Sequence, residues 1–216
     1  MFQNLIHFTI LSIFGFTAIQ SPLASPNSRV LANHTMSLET RYAVPQVNEV
    51  FKDNILLTLA YLDGQVKSAK DINWEKLRKK GDVEIVLKKG EVFAFHEDAL
   101  PDYSGKVAVT TGAHFNSGEG FKSDGWLVGD GVCHFASLLY WVAKDAGLET
   151  KAPTNHNFAN IPEVPKEYGV SIYYMPGQKN TSENQNLYIK NTKDKDIRFA
   201  FEYDGVNLKI NASEIN

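Results

Sequence analysis

Cysteine is almost absent from this chain, with Cys133 alone among 216 residues, and a single thiol excludes an internal disulfide framework. An excess of one charge is missing too. Lysine and arginine number 22 against 25 aspartates and glutamates, for a formal charge of −3, so no basic stripe exists to track a phosphate backbone and nucleic acid is not an expected partner. Nor is there a hydrophobic run as long as the roughly 20 residues that a membrane-spanning helix needs. The longest, LIHFTILSIFGFTAI at positions 5–19, lies in a stretch without Asp, Glu, Lys or Arg before Arg29. Its length suits the hydrophobic region of an export signal. Residues 1–24 are therefore expected to be a signal peptide or amino-terminal anchor, although the leading MFQN lacks the usual basic residue. Residues 25–36 read as a polar linker and 37–216 as one folded domain, in contact with a membrane only through the amino-terminal segment. No internal repeat is visible, and His114, His134, His156 and Cys133 follow no recognised metal-ligand spacing, so neither metal nor cofactor is expected.

What is present is ordinary globular material, 43% hydrophobic and 12% aromatic, enough for one sizeable core. The segment VPQVNEVFKDNILLTLAYLDG places Val47, Val50, Phe51, Ile55, Leu59 and Leu62 at spacings of three and four before Gly64, which predicts an amphipathic helix. A second short helix is expected over 72–80. The period then changes to two at Val83, Ile85 and Leu87, and again at Val92 and Phe95, as strands require. Residues 98–130 are rich in Gly, Ser, Asp and Asn, a connection long enough to suggest a functional loop. That loop feeds GDGVCHFASLLYWVAKDAG, the best-defined helix, with Asp130 expected to cap its start and Gly147 its end. Beyond it YGVSIYYM (168–175), NLYIKN and the pair around Asp204-Gly205 read as strands, the last as a hairpin. Helices first and antiparallel strands afterwards predict an α+β fold with a buried central helix starting at the cysteine.

The apolar stripe of that helix is Val132, Ala136, Leu139, Ala143 and Ala146, and Cys133 lies off it, on a face with Ser137, Tyr140 and Lys144. A thiol in a first helical turn feels unpaired backbone N–H groups and the positive end of the helix dipole, which favour the thiolate. Gly129 and Gly131 would let a substrate approach and leave N–H groups free for an oxyanion. His156 is the candidate base, and Asn186 the candidate group that orients it. Gly129, Asp130, Gly131, His134, Trp126, Tyr140 and His114 are the candidate substrate-binding residues. A rival reading needs no base at all. In it the glycine-rich loop and the aromatics Phe115, Phe121, Trp126 and Tyr140 line a groove for glycan or peptide.

Several blocks carry a resemblance. GEVFAFHE (90–97), GDGVCHFASLLYWVAKDAGLE (129–149), NHNF (155–158), YGVSIYYMPG (168–177) and NLYIKNTKDKDIRFAF (186–201) together resemble the VanW family, named for a protein of vancomycin-resistance clusters. Gly129, Gly131 and Cys133 match its glycine-glycine-glycine-Val-Cys core, Leu139 and Tyr140 its Leu-Tyr pair, and His156 the second histidine of its His-Pro-His element. Asp130 stands for the middle glycine, His134 for the glutamine after the cysteine, Asn155 for the first histidine and Asn186 for the usual aspartate. The resemblance implies an exported or membrane-tethered envelope protein. With the residue reading it suggests a papain-like or transglutaminase-like thiol hydrolase or transferase, with peptidoglycan or its stem peptides as partner.

Overall fold

The computed structural model describes residues 28–126 and 128–215. The expected signal peptide or anchor at 1–24 lies outside them. The first element is unexpected, because residues 29–36, read from sequence as linker, continue into a strand, β1 (Arg29–Ser37), with Met36 fully buried. Its polar composition hides the assignment: only its carboxyl end reaches the core, and the rest is an edge strand half-open to solvent.

Helix α1 (Pro45–Leu62) follows, with Pro45 at its first turn, where a missing N–H costs nothing. The second helix expected over 72–80 shrinks to α2 (Trp74–Leu77), preceded by a 3₁₀ turn (Ala69–Asp71) and capped by Asn73, whose side chain accepts from the Lys76 N–H. β2 (Gly81–Leu87), β3 (Val92–Ala94) and β4 (Val107–Val109) precede α3 (Val132–Asp145). Then come β5 (Glu149–Lys151), α4 (Lys179–Ser182), β6 (Tyr188–Lys190), β7 (Asp196–Tyr203) and β8 (Asn207–Ile215). One sheet has the order β1-β8-β7-β2 and is antiparallel throughout. The other has the order β4-β3-β6-β5, with a parallel pair between β3 and β4. The fold is α+β, with a second, mixed sheet beside the antiparallel one expected. Residues 168–175, read as a strand, belong to neither sheet, and Tyr168 ends a 3₁₀ turn. The segment is tied down by single backbone bonds, Ser171 N–H donating to Thr154 O and Tyr173 N–H to Gln185 O.

Helix α3 is the centre. Its predicted stripe is fully buried, and Phe135 meets Phe201 of β7 at 5.6 Å on one side and Phe95, just past β3, at 5.7 Å on the other. Each such ring contributes roughly 1.5–3 kcal/mol of burial. Asp130 does not cap this helix. Gly131 is the cap residue, at φ +95°, and Asp130 turns back to accept the Asp124 N–H at 3.1 Å. Gly147 closes the far end at φ +69°, with Leu148 N–H reaching back to Ala143 O.

Gly131 is held to its identity twice over. Its φ is one that L side chains rarely adopt, and a Cβ there would lie 2.6 Å from the Phe51 carbonyl oxygen of α1. Gly131→Ala should therefore cost about 3 kcal/mol, a fall of roughly 6–12 °C in Tm. Gly81→Ala, at ordinary φ with open space around it, should move Tm by no more than about 2 °C. Equal melting of the two variants by circular dichroism would show that the helix start tolerates a side chain.

Candidate functional site

The amino end of α3 opens on a cavity of about 540 Å³. Five stretches supply its wall: residues 41–51 from the start of the domain and α1, 114–117, Trp126 with 128–134, 156–160 and 172–176. Asn54 of α1 fixes one of them, donating to Lys122 O at 3.0 Å and Asp130 O at 2.9 Å while accepting from the Lys122 N–H. Gly129, Asp130, Gly131, Cys133, His134, His156, His114 and Trp126 all line the cavity. A smaller hollow of about 280 Å³ near Gln65, Lys80 and Asp82 contains none of them.

Cys133 is half-buried. Its sulfur is engaged by the backbone of Ile172, which donates its N–H at 3.4 Å and lies with its carbonyl at 3.7 Å. Burial pushes the thiol up to about 11, the Ile172 N–H opposes that, and the Asp130 carboxylate adds to it. The expected activation by the helix terminus is therefore outweighed by burial. The polar face of α3 is also not free: Ser137 is fully buried, donates to Cys133 O at 2.7 Å and accepts the Val170 N–H at 2.8 Å. Residues 170–172 thus cover the side of the helix on which the sulfur sits.

His134 and His156 stand edge to face, ring centroids 6.1 Å apart, and both are more than nine-tenths buried. Burial, then Arg41 and His156, drives His134 down to about 3, so it is neutral at any physiological pH. His156 is lowered too, by burial, with the backbone of His156 and Ala159 pulling the other way. Neither Nδ1 has a hydrogen-bond partner. Cys133 and His156 share the cavity but form no hydrogen bond. Instead His156 packs on Phe158 at 4.0 Å, and its carbonyl passes so close to Gly169 that a Cβ there would lie 2.9 Å away.

His114 is different. Its Nδ1 meets Glu119 at 2.7 Å and its Nε2 meets Glu97 at 2.8 Å. Burial works against its charge, but the two carboxylates prevail and its pKa is raised. Asp130 is raised as well, chiefly by burial.

Two expected site residues sit elsewhere. Asn186 is fully buried and serves the scaffold, accepting the Phe95 N–H at 2.8 Å and donating to His96 O and Asp98 O, with His96 Nδ1 at 3.2 Å. It does not orient His156. Tyr140 projects away from the cavity, toward Tyr168 and Lys144, and Phe121 is core, stacked on Tyr61. His96 is buried beside Asn186. Sequence reasoning passed over Arg41, Phe51, Phe158 and Ile172, which join the wall from segments that carry no chemical motif. Only the Phe158 in NHNF adjoined a residue already singled out. Among the described residues no three Cys, His, Asp or Glu side chains are grouped to hold a metal ion.

The family model described as VanW like protein matches residues 80–212. The chain belongs to the VanW-like family. No curated protein and no solved structure matches it. The VanW-like match takes in α3 and every wall segment except residues 41–51. Among the described residues no helix is long and apolar enough to cross a membrane.

A thiol at about 11 should alkylate slowly. With iodoacetamide at pH 8, Cys133 should react about tenfold or more slowly than a free cysteine of pKa about 8.5, and its rate should keep rising to beyond pH 10. A rate that levels off below pH 8.5 would reveal a thiolate-stabilising site instead.

Proposed function

We propose that this VanW-like protein is a cell-envelope binding module whose cavity holds a fragment of the cell-wall polymer. One observation carries the reading: a cavity of about 540 Å³ with exposed aromatics at its mouth, Trp126 at 92% and Phe158 at 72%, surrounds a thiol with backbone partners and no base. Aromatic surface left in water beside a concave pocket marks a ligand site. A nucleophile needs a base within hydrogen-bond reach, and Cys133 has the Ile172 backbone in that position. The envelope compartment is inferred from the apolar run at 5–19 and from family membership.

A second reading keeps one specific support. Cys133, His134 and His156 come from two separate segments onto one wall, so a shift of residues 170–172 that frees the sulfur could create a papain-like or transglutaminase-like pair. In that case Cys133 would attack an amide of a stem peptide and His156 would take its proton.

Sedimentation with insoluble peptidoglycan separates the two. The wild-type protein should co-sediment, Trp126→Ala should bind about tenfold more weakly, equivalent to about 1.4 kcal/mol, and Cys133→Ala should bind and act like the wild type. Soluble fragments released by the wild type and not by Cys133→Ala would establish the thiol reading. Absence of co-sedimentation would refute the module.

A further inference from the structure

The cavity has no cation free to meet a ligand, although the Asp130 carboxyl and the carboxylate-paired His114 stand on its wall. Arg41, His114 and Asp130 are the ionisable cations and anions of its described wall apart from the thiol, the two neutral histidines and the tyrosines. The Arg41 side chain is fully buried and each of its three nitrogens is engaged, Nε on Ser37 O, Nη1 on Pro162 O at 3.1 Å and Nη2 on Glu163 at 2.6 Å. His114 has both ring nitrogens on carboxylates. No cation is therefore left among these residues to receive a ligand carboxylate, and desolvating an unpaired carboxylate is costly.

What the wall does offer is neutral. His134 and His156 are unpartnered at Nδ1, and those atoms are sealed from solvent. On each ring that leaves Nε2 as the polar edge for a ligand, on a wall that also carries Asn116, Ser117 and Asn160. For His134 the tautomer follows from the sealing, because a buried bare acceptor is tolerated better than a buried orphan N–H. It therefore presents Nε2–H as a donor, and His156 Nε2 completes a neutral pair beside it. Trp126 and Phe158 stand exposed at the mouth, flat faces of the kind that pack on apolar ring surface.

On these grounds we infer that the cavity takes an N-acetylated aminosugar unit of a glycan strand, its acetamido group between His134 and His156 and its ring against Trp126 or Phe158. This rests on the binding-module reading and specifies which part of the polymer enters. The acetamido carbonyl would accept from His134, and the group carries no charge to be paired. A stem peptide offers the same amide chemistry but brings carboxylates for which the wall has no free cation.

The test is calorimetric titration of the full-length protein with four probes: tetra-N-acetylchitotetraose, the deacetylated tetramer, cellotetraose and a free stem pentapeptide. The acetylated tetramer should bind, and the deacetylated and glucose tetramers should bind at least about tenfold more weakly. The pentapeptide should give no heat. Trp126→Ala, at an exposed position that should not disturb folding, should weaken the acetylated tetramer about tenfold, and His134→Gln, which keeps a donor, should retain more affinity than His134→Leu. Pentapeptide binding in preference to the sugar would overturn the inference while leaving the module intact. Equal affinity for acetylated and deacetylated tetramers would overturn it as well. No binding of any probe by a protein that still co-sediments with peptidoglycan would do the same, and no binding together with no co-sedimentation would overturn both readings.

Discussion

The close pass of Gly131 over the backbone of Phe51 is the constraint on which the site depends. With 2.6 Å between a would-be Cβ and the Phe51 oxygen, the amino end of α3 can settle on α1 only where no side chain intervenes. That contact fixes three things at once. It sets the direction in which α3 enters the core, it places Cys133 and His134 in the first turn on the cavity wall, and it brings Phe51 beside them, 5.0 Å from the His134 ring. Asn54, one turn along α1, then ties the preceding loop at Lys122 and Asp130 to the same helix. The two helices and the loop behave as one joint.

From that joint follows the electrostatic character of the cavity. A thiol at a helix start is ordinarily eased toward the thiolate by the helix dipole, an effect worth about 0.3–1 kcal/mol at exposed sites. Here residues 170–172 lie over the sulfur, and the loss of water outweighs the dipole. The same enclosure holds His134 neutral. Charged groups are present but matched: Asp53 lies under Arg78 and Lys122, whose hydrogen bonds overcome its burial and lower its pKa, and Arg41 is closed by Glu163. The pairs engage the cations and leave the cavity an aromatic space in which no free positive charge faces a ligand.

Much of this was legible in the residues. The stripe on α3, the glycine stops, the strands around Val83 to Leu87 and the Asp204-Gly205 hairpin are local patterns, and local patterns survive folding. So was the gathering of Cys133, His156, His134 and His114, because the resemblance to a family carries three-dimensional information that periodicity does not. The partners of those groups were not legible. Asn186 looked like an orienting amide by its position in the family pattern, yet it pairs with His96 because β6 lies next to β3. YGVSIYYM has the composition of a strand, but the ladder positions beside β6 are filled by β3 and β5, and the segment is left to cover α3. Sequence spacing specifies what a residue is. Which neighbour desolvates it is decided by chain crossings dozens of residues away.

The register of β1 against β8, running from Arg29 opposite Glu214 to Ser37 opposite Asn207, has a practical meaning for the limits of the family match. A fragment trimmed to residues 80–212 would leave the β8 backbone uncovered along one whole side, a template for pairing with other chains. It would also remove Phe51 and Arg41, so that the back of the cavity would stand open to bulk water. Preparations cut to those limits should aggregate through the bared strand and lose the enclosure that keeps the thiol protonated. The portion that defines kinship is thus smaller than the portion that closes the binding space.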